Sequence, residues 1–139
     1  MPKDFDRWNE HKKSLDADPA PRAYVHAREL WFVHLGTHVG FEQDGRGEES
    51  LGPILVLRKF NNEVVWALPL TWRDKPANPY YASFKYIVFP EVADAPLRSS
   101  VAILSQLRLL DIKRFRYKIG TVPAEAFELI KEKTRQLLT

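Results

Sequence analysis

Two apolar runs, Pro53–Phe60 and Glu63–Leu70, are separated by only Asn61-Asn62. A link this short makes the runs antiparallel neighbours, and asparagine tolerates the positive φ that tight hairpin turns use, so the segment predicts a β-hairpin. The rest of the middle of the chain has the same character. Arg28–Leu35 (RELWFVHL) is rich in aromatic and branched residues and stops at Gly36, while Tyr81–Phe89 and Ser99–Ser105 are further strand-like runs bounded by proline. Short strands with turn residues between them favour a small barrel or sandwich.

The two ends have a different period. Phe5, Trp8 and Leu15 share one face of an amphipathic helix predicted over about Asp4–Asp16, which must stop before Asp18-Pro-Ala-Pro21. Thr121-Val-Pro123 opens a second helix, with Glu125 at its positive end and Ala126, Phe127, Ile130, Leu137 and Leu138 on its apolar side. The expected layout is therefore mainly β with flanking helices: a helix, five or six strands, and a helix. The expected division is 1–22 as an N-terminal helix with a Pro-rich linker, and 23–139 as a barrel domain. The full 139 residues suit about one domain.

Composition excludes several classes. There is no cysteine, so neither disulfides nor thiolate metal sites are available. The opening residues are charged and lack the apolar core of a secretory signal, and no apolar run approaches the ~20 residues of a membrane helix. The expectation is a soluble cytoplasmic protein with no membrane partner. His26, His34 and His38 have a spacing that suits no familiar zinc site, and His34 is expected to pack on an alternate strand face. The net charge of +3 does not by itself announce a nucleic-acid binder. Its distribution says more: Gln106–Lys118 carries Arg108, Lys113, Arg114, Arg116 and Lys118 against Asp111, while Phe41–Ser50 is acidic. Trp31 and Trp66 lie within apolar strands and are expected in the core.

The long loop Gly36–Gly52 mixes glycines with acids, Gln43 and Arg46, and either holds binding residues or only permits turns. Together with its flanks it carries a resemblance. Arg28–Leu35 followed by Val39-Gly-Phe-Glu-Gln-Asp-Gly45 resembles the first strand and Gly-x-Glu-Gln-x-Gly loop of MazF/PemK toxins. Pro53-Ile-Leu-Val-Leu57 is similar to the Pro-x-Leu-Val strand that follows, and Leu68-Pro-Leu-Thr71 to the Pro-Leu-Thr strand end. Ser105-Gln-Leu-Arg-Leu-Leu-Asp111, with Lys113-Arg114 and Ile119-Gly120, resembles the block before the final helix. The resemblance spans residues 28 to about 130 and leaves out the N-terminal helix.

It implies a small SH3-like barrel that forms a homodimer and cleaves single-stranded RNA without metal or other cofactor. It also implies a cognate antitoxin protein as partner. In such chemistry the substrate's own 2′-hydroxyl attacks the adjacent phosphate, so cations near the phosphate matter most. Carried over by position, Thr71 is the substrate-contacting threonine, Glu42 and Gln43 are the loop residues that approach RNA, and Gln106 and Arg108 belong to the late block. Asp111 pairs with nearby basic residues or caps a turn. Two positions depart from the pattern. Gly52 stands where an arginine is expected just before the Pro-x-Leu-Val strand, and Ser105 where many members carry a carboxylate. Arg46, in the same loop as the missing arginine, is the substitute cation to consider. Trp72 replaces a small polar residue beside Thr71 and either stacks a base or fills a contact.

Overall fold

In the computed structural model, which describes residues 6–7, 9–10, 12–13, 23–36, 51–73 and 77–138, the expected hairpin is β2 (Leu51–Lys59) and β3 (Val64–Thr71). Its turn works differently from the expectation. Neither asparagine has positive φ; among the described non-glycine residues that conformation occurs at Arg28 and Asp94. Instead the Asn61 side-chain carbonyl accepts the N–H groups of Glu63 (2.7 Å) and Val64 (2.9 Å), so a side-chain acceptor reverses the chain.

The remaining strands are β1 (Glu29–His34), β4 (Tyr81–Val88), β5 (Arg98–Ile103), β6 (Arg108–Asp111) and β7 (Phe115–Thr121), and the C-terminal helix is Ala124–Gln136. All pairings are antiparallel. They run β2–β1–β7–β4–β5–β3, and β3 also pairs with β2, so six strands close into a barrel. β6 continues along the β3 edge that β5 leaves: Leu70 and Thr71 pair with β5, Val64–Ala67 with β6. β6 and β7 lie in the stretch read from the sequence by its basic charge. β6 is only four residues long, whereas β7 alternates Phe115, Tyr117 and Ile119 with Arg116 and Lys118, a period of two that fits a strand.

The N-terminal helix can be followed at six positions. Asp6, Arg7, Asn9, Glu10, Lys12 and Lys13 are helical and exposed, as its polar side should be. Phe5, Trp8, Leu15 and the Pro-rich stretch lie outside the described residues. Val25, just after it, is already fully buried. Among the described residues no helix is long and apolar enough to cross a membrane.

Strand alternation splits the core in two. Leu30, Leu55, Leu68 and Leu70 point to one side of β1–β3, where they meet β4, β5 and Phe127 and Ile130 of the C-terminal helix. Trp31, Val33, Ile54, Val56, Val65 and Ala67 point to the other and meet Leu110, Ile112 and Phe115. Both faces of these three strands are buried, which is why they read as continuous apolar runs. Trp66 is a correction: it is 41% exposed, not core. It sits on the helix-bearing face but near the hairpin turn, edge-on to Phe60 at 4.9 Å.

Two features hold the closure. Gly120 in β7 pairs with Leu30 and with Val88, joining β1 to β4. A Cβ on Gly120 would lie 2.2 Å from the Ile87 carbonyl oxygen, a backbone atom that cannot step aside. Glu29 is the second. It is 7% exposed, and its carboxylate accepts from His26 N–H (2.8 Å), Trp31 Nε1 (3.0 Å) and Lys118 Nζ (2.9 Å). Burial pushes its pKa up, but the Lys118 ammonium and the two N–H donors outweigh burial and hold it below the ordinary value.

Gly120→Ala should therefore destabilise the fold by about 3 kcal/mol, read from the denaturant midpoint. Glu29→Gln should cost about 2 kcal/mol at neutral pH. Because the Glu29 pKa is depressed on folding, its contribution is complete above the unfolded value and lost as pH falls through the folded one. Thermal unfolding of the parent should thus weaken below about pH 4, and Glu29→Gln should flatten that acid limb.

Candidate functional site

At one end of the barrel β1 finishes at His34, β2 starts at Leu51 and β3 finishes at Thr71. Val33 faces Gly52 and His34 faces Leu51 across β1–β2, while Ile54 faces Pro69 across β2–β3. Continuing that last register by two residues sets Gly52 opposite Thr71. Directly paired residues share a face, so Val33, Gly52 and Thr71 belong to the same side of the sheet. Gly52 is buried and offers no side chain there. The loop residues Glu42, Gln43 and Arg46 lie outside the described residues; their loop joins β1 to β2 at this end.

Thr71 has a local role. Its Oγ1 accepts the N–H of Arg73 at 3.2 Å, and its carbonyl accepts Ser100 Oγ at 3.4 Å. A hydroxyl that accepts one bond still has its own proton to donate, so Thr71 can also serve an anion. Trp72 goes elsewhere. Its ring, 49% exposed, stacks obliquely on Phe32 at 5.9 Å. Phe32 alternates with Val33, so the tryptophan lies across the strand from Thr71's face, with exposed Tyr117 as the next register partner of Phe32.

The late block runs beside β3. A 3-10 turn, Leu104–Gln106, links β5 to β6; Ser105 is exposed, and Gln106 and Arg108 are half-buried. Arg108 pairs with Ala67, four residues before Thr71 on the same face of β3, about 13 Å along the strand. Asp111 caps the next 3-10 turn, Ile112–Arg114, by accepting Lys113 N–H at 2.8 Å. That agrees with the turn-capping role.

The basic-segment reading did not single out Arg114 as a site residue. Its Nη1 donates to the His34 carbonyl at 3.2 Å, one register position from Gly52. Burial, and then the nearby Arg108 charge, lower its pKa, with Asp111 acting in the opposite sense. The guanidinium stays cationic. The signal for Arg114 was the basic run itself; only the fold shows which member turns back to the strand ends. His34 is buried, 4% exposed, as strand packing requires.

The fold is a small closed six-stranded β-barrel, with a strand-end hydroxyl and the Arg114 guanidinium at one end and Arg108 farther along β3. The chain belongs to the family described as PemK-like, MazF-like toxin of type II toxin-antitoxin system, whose model matches residues 27–138. No functionally curated protein matches it. Solved structures are similar in fold. MazF from Deinococcus radiodurans has 24% identity and a TM-score of 0.63, over 84% of this chain and 98% of that one. A chain of a MazE–MazF structure from the same organism has 21% identity and a TM-score of 0.54, over 84% and 97%. The Mycobacterium tuberculosis toxin MazF-mt6 has 12% identity and a TM-score of 0.55, over 80% and 96%.

If Arg108 and Arg114 both contact phosphate, neutralising either should weaken binding of an oligoribonucleotide at every sequence. Arg108→Gln and Arg114→Gln should each reduce the slope of log affinity against log salt by about one, measured by fluorescence anisotropy.

Proposed function

We propose that this chain is a metal-independent endoribonuclease toxin acting on single-stranded RNA as a homodimer in the cytoplasm. One observation supports it beyond family membership. Thr71 is opposite Gly52, and the Arg114 guanidinium lies one register position away with Arg108 along the same face. Gly52 removes the arginine that the resemblance implies, and Arg114 supplies a cation at nearly the same place. On this reading the RNA 2′-oxygen attacks its own phosphorus, the 5′-oxygen leaves with a proton, and a 2′,3′-cyclic phosphate remains. Thr71 donates a hydrogen bond to a phosphate oxygen, and Arg114 and Arg108 stabilise the charge that builds there. Gln106 and the loop residues Glu42, Gln43 and Arg46 contact unstacked bases or phosphates, and Ser105 takes the position of the usual carboxylate. Exposed Trp72 offers a stacking surface at the rim. The 23–139 barrel carries all of these groups.

The MazE–MazF structures among its fold relatives contain a second protein. An antitoxin with a disordered acidic segment is accordingly the proposed partner, covering the same cationic strand ends.

A second reading is a silent barrel that binds RNA or antitoxin without cutting. It is favoured by the buried glycine at position 52, which presents no catalytic side chain. Incubation of a long mixed-sequence RNA in EDTA, with new 5′ ends mapped, separates the two. The enzyme reading expects discrete cuts that fall by about 100-fold in Thr71→Ala and in Arg114→Gln. Gly52→Arg should restore part of the loss in the Arg114→Gln background. Intact RNA that is nevertheless bound leaves the silent barrel.

A further inference from the structure

The segment before the barrel has no part in the RNA reading. Residues 1–22 precede the matched span 27–138, and over them five basic residues balance five acidic ones. Asp6, Arg7, Asn9, Glu10, Lys12 and Lys13 are helical and exposed. The spacing of Phe5, Trp8 and Leu15 sets these three on a common face of the same helix. An isolated helix of about 13 residues is marginal in water, so an amphipathic one gains its stability by laying the apolar face on another surface.

An apolar surface lies where this segment joins the barrel. Between the β2–β3 hairpin and the C-terminal helix runs a groove of about 520 Å³, floored by Leu57, Trp66, Leu107 and Phe127. Leu138, 77% exposed, closes one end. Arg58, Lys59, Lys131 and Arg135 stand at the rim, and among the described residues no carboxylate lines the groove. Ala27 is itself part of the groove wall, and the next residue, Arg28, donates its N–H to the Val56 carbonyl at 3.0 Å. The chain therefore enters the barrel alongside the hairpin. Tyr24, 82% exposed, has Lys59 of the rim 5.7 Å from its ring centre, which carries the same path back along the groove.

We propose that the N-terminal helix of the same chain covers this groove, with Phe5, Trp8 and Leu15 seated on the floor. The link allows it. Residues 17–26 span roughly 33 Å when extended, enough for the helix to turn back on the barrel. A helix over Asp4–Asp16 is about 20 Å long, the length of the 13-residue C-terminal helix that forms the groove's other wall. Tethering holds the helix at an effective concentration of about a millimolar, so even a weak contact is populated. Helical spacing sets Asp4 and Asp16 at opposite edges of the apolar face, where the two cationic rims meet them. Lys12 falls within that face; its stem can lie along apolar surface while the ammonium stays in water. A second copy seated groove to groove would instead bring four cations against four, because an isologous contact repeats the same patch. Trp66, Leu68 and Leu70 alternate with Ala67, Pro69 and Thr71, so the groove lies on the face of β3 away from the candidate RNA site. The proposal therefore stands without the ribonuclease reading.

The test uses the full chain, which has no cysteine of its own. Glu128→Cys, on the exposed side of the C-terminal helix beside Lys131, supplies a single thiol for a nitroxide. In the isotope-labelled protein the nitroxide should abolish the amide signals of residues 4–16, and its reduction should restore them. In an equal mixture of nitroxide-bearing unlabelled chain and nitroxide-free labelled chain the signals should persist, since the contact is within one molecule. Trp8→Asp/Leu15→Asp on the N-terminal helix should restore the signals beside an active nitroxide, and so should Trp66→Glu in the groove. If thermal melting shows that Trp66→Glu is unfolded, the helix variant decides. The proposal is overturned if the signals of residues 4–16 persist beside the nitroxide, or if their loss survives both variants. It is equally overturned by loss in the mixed sample, which would mean that the helix of a neighbouring copy covers the groove.

Discussion

The structure depends on β1, β2 and β3 being buried on both faces. Most apolar residues of these strands belong to one cluster or the other, so a one-residue slip in register would exchange Leu30, Leu55, Leu68 and Leu70 with Trp31, Ile54, Val56 and Ala67. The two clusters are shaped by different neighbours: the C-terminal helix with β4 and β5 on one side, β6 and the start of β7 on the other. The fixed register sets Gly52 opposite Thr71 and brings His34 to Leu51. This juxtaposition of strand ends is thus a by-product of core packing, formed where the doubly covered strands end.

Charge is divided across this framework. Glu29 and Lys118 spend their charges inside, tying the beginning of β1 to β7 near Gly120. Arg114 holds its charge near the strand ends, where burial and the Arg108 charge lower its pKa. Arg58, Lys59, Lys131 and Arg135 flank apolar surface on the other face of β3. A net charge of +3 conceals these three arrangements, since acids on the helix and in the loop offset the sum.

Much of the fold was legible in the sequence. The hairpin, β1, β4 and β5 were marked by their runs and turn residues, and the final helix by Pro123 and its apolar spacing. β6 and β7 were not: β6 is only four residues long, and the alternation of Phe115, Tyr117 and Ile119 with Arg116 and Lys118 in β7 was overshadowed by the basic charge of the stretch. Trp66 misled because period-2 alternation gives the face but not how far along the strand the covering helix reaches. Asn61 was rightly placed in a turn, yet its side-chain carbonyl does the work assigned to backbone conformation. Thr71's place at a strand end was legible as the end of an apolar run. Trp72's association with Phe32 was not, since one strand connection and a long loop separate them in sequence.

By itself, the sequence determined the strand content, the bounding turns, the absence of thiol chemistry and the family to which the chain belongs. Those properties follow from local patterns: apolar period, proline and glycine positions, and short motifs in order. The tertiary structure alone decided which cation reaches the ends of β1 and β2. Arg108, Lys113, Arg114, Arg116 and Lys118 are chemically alike along the chain, and only the turn after β6 sends the Arg114 guanidinium back to the His34 carbonyl. It also decided that β3 presents two unrelated surfaces, because alternation becomes a difference of environment only when different elements cover the two faces.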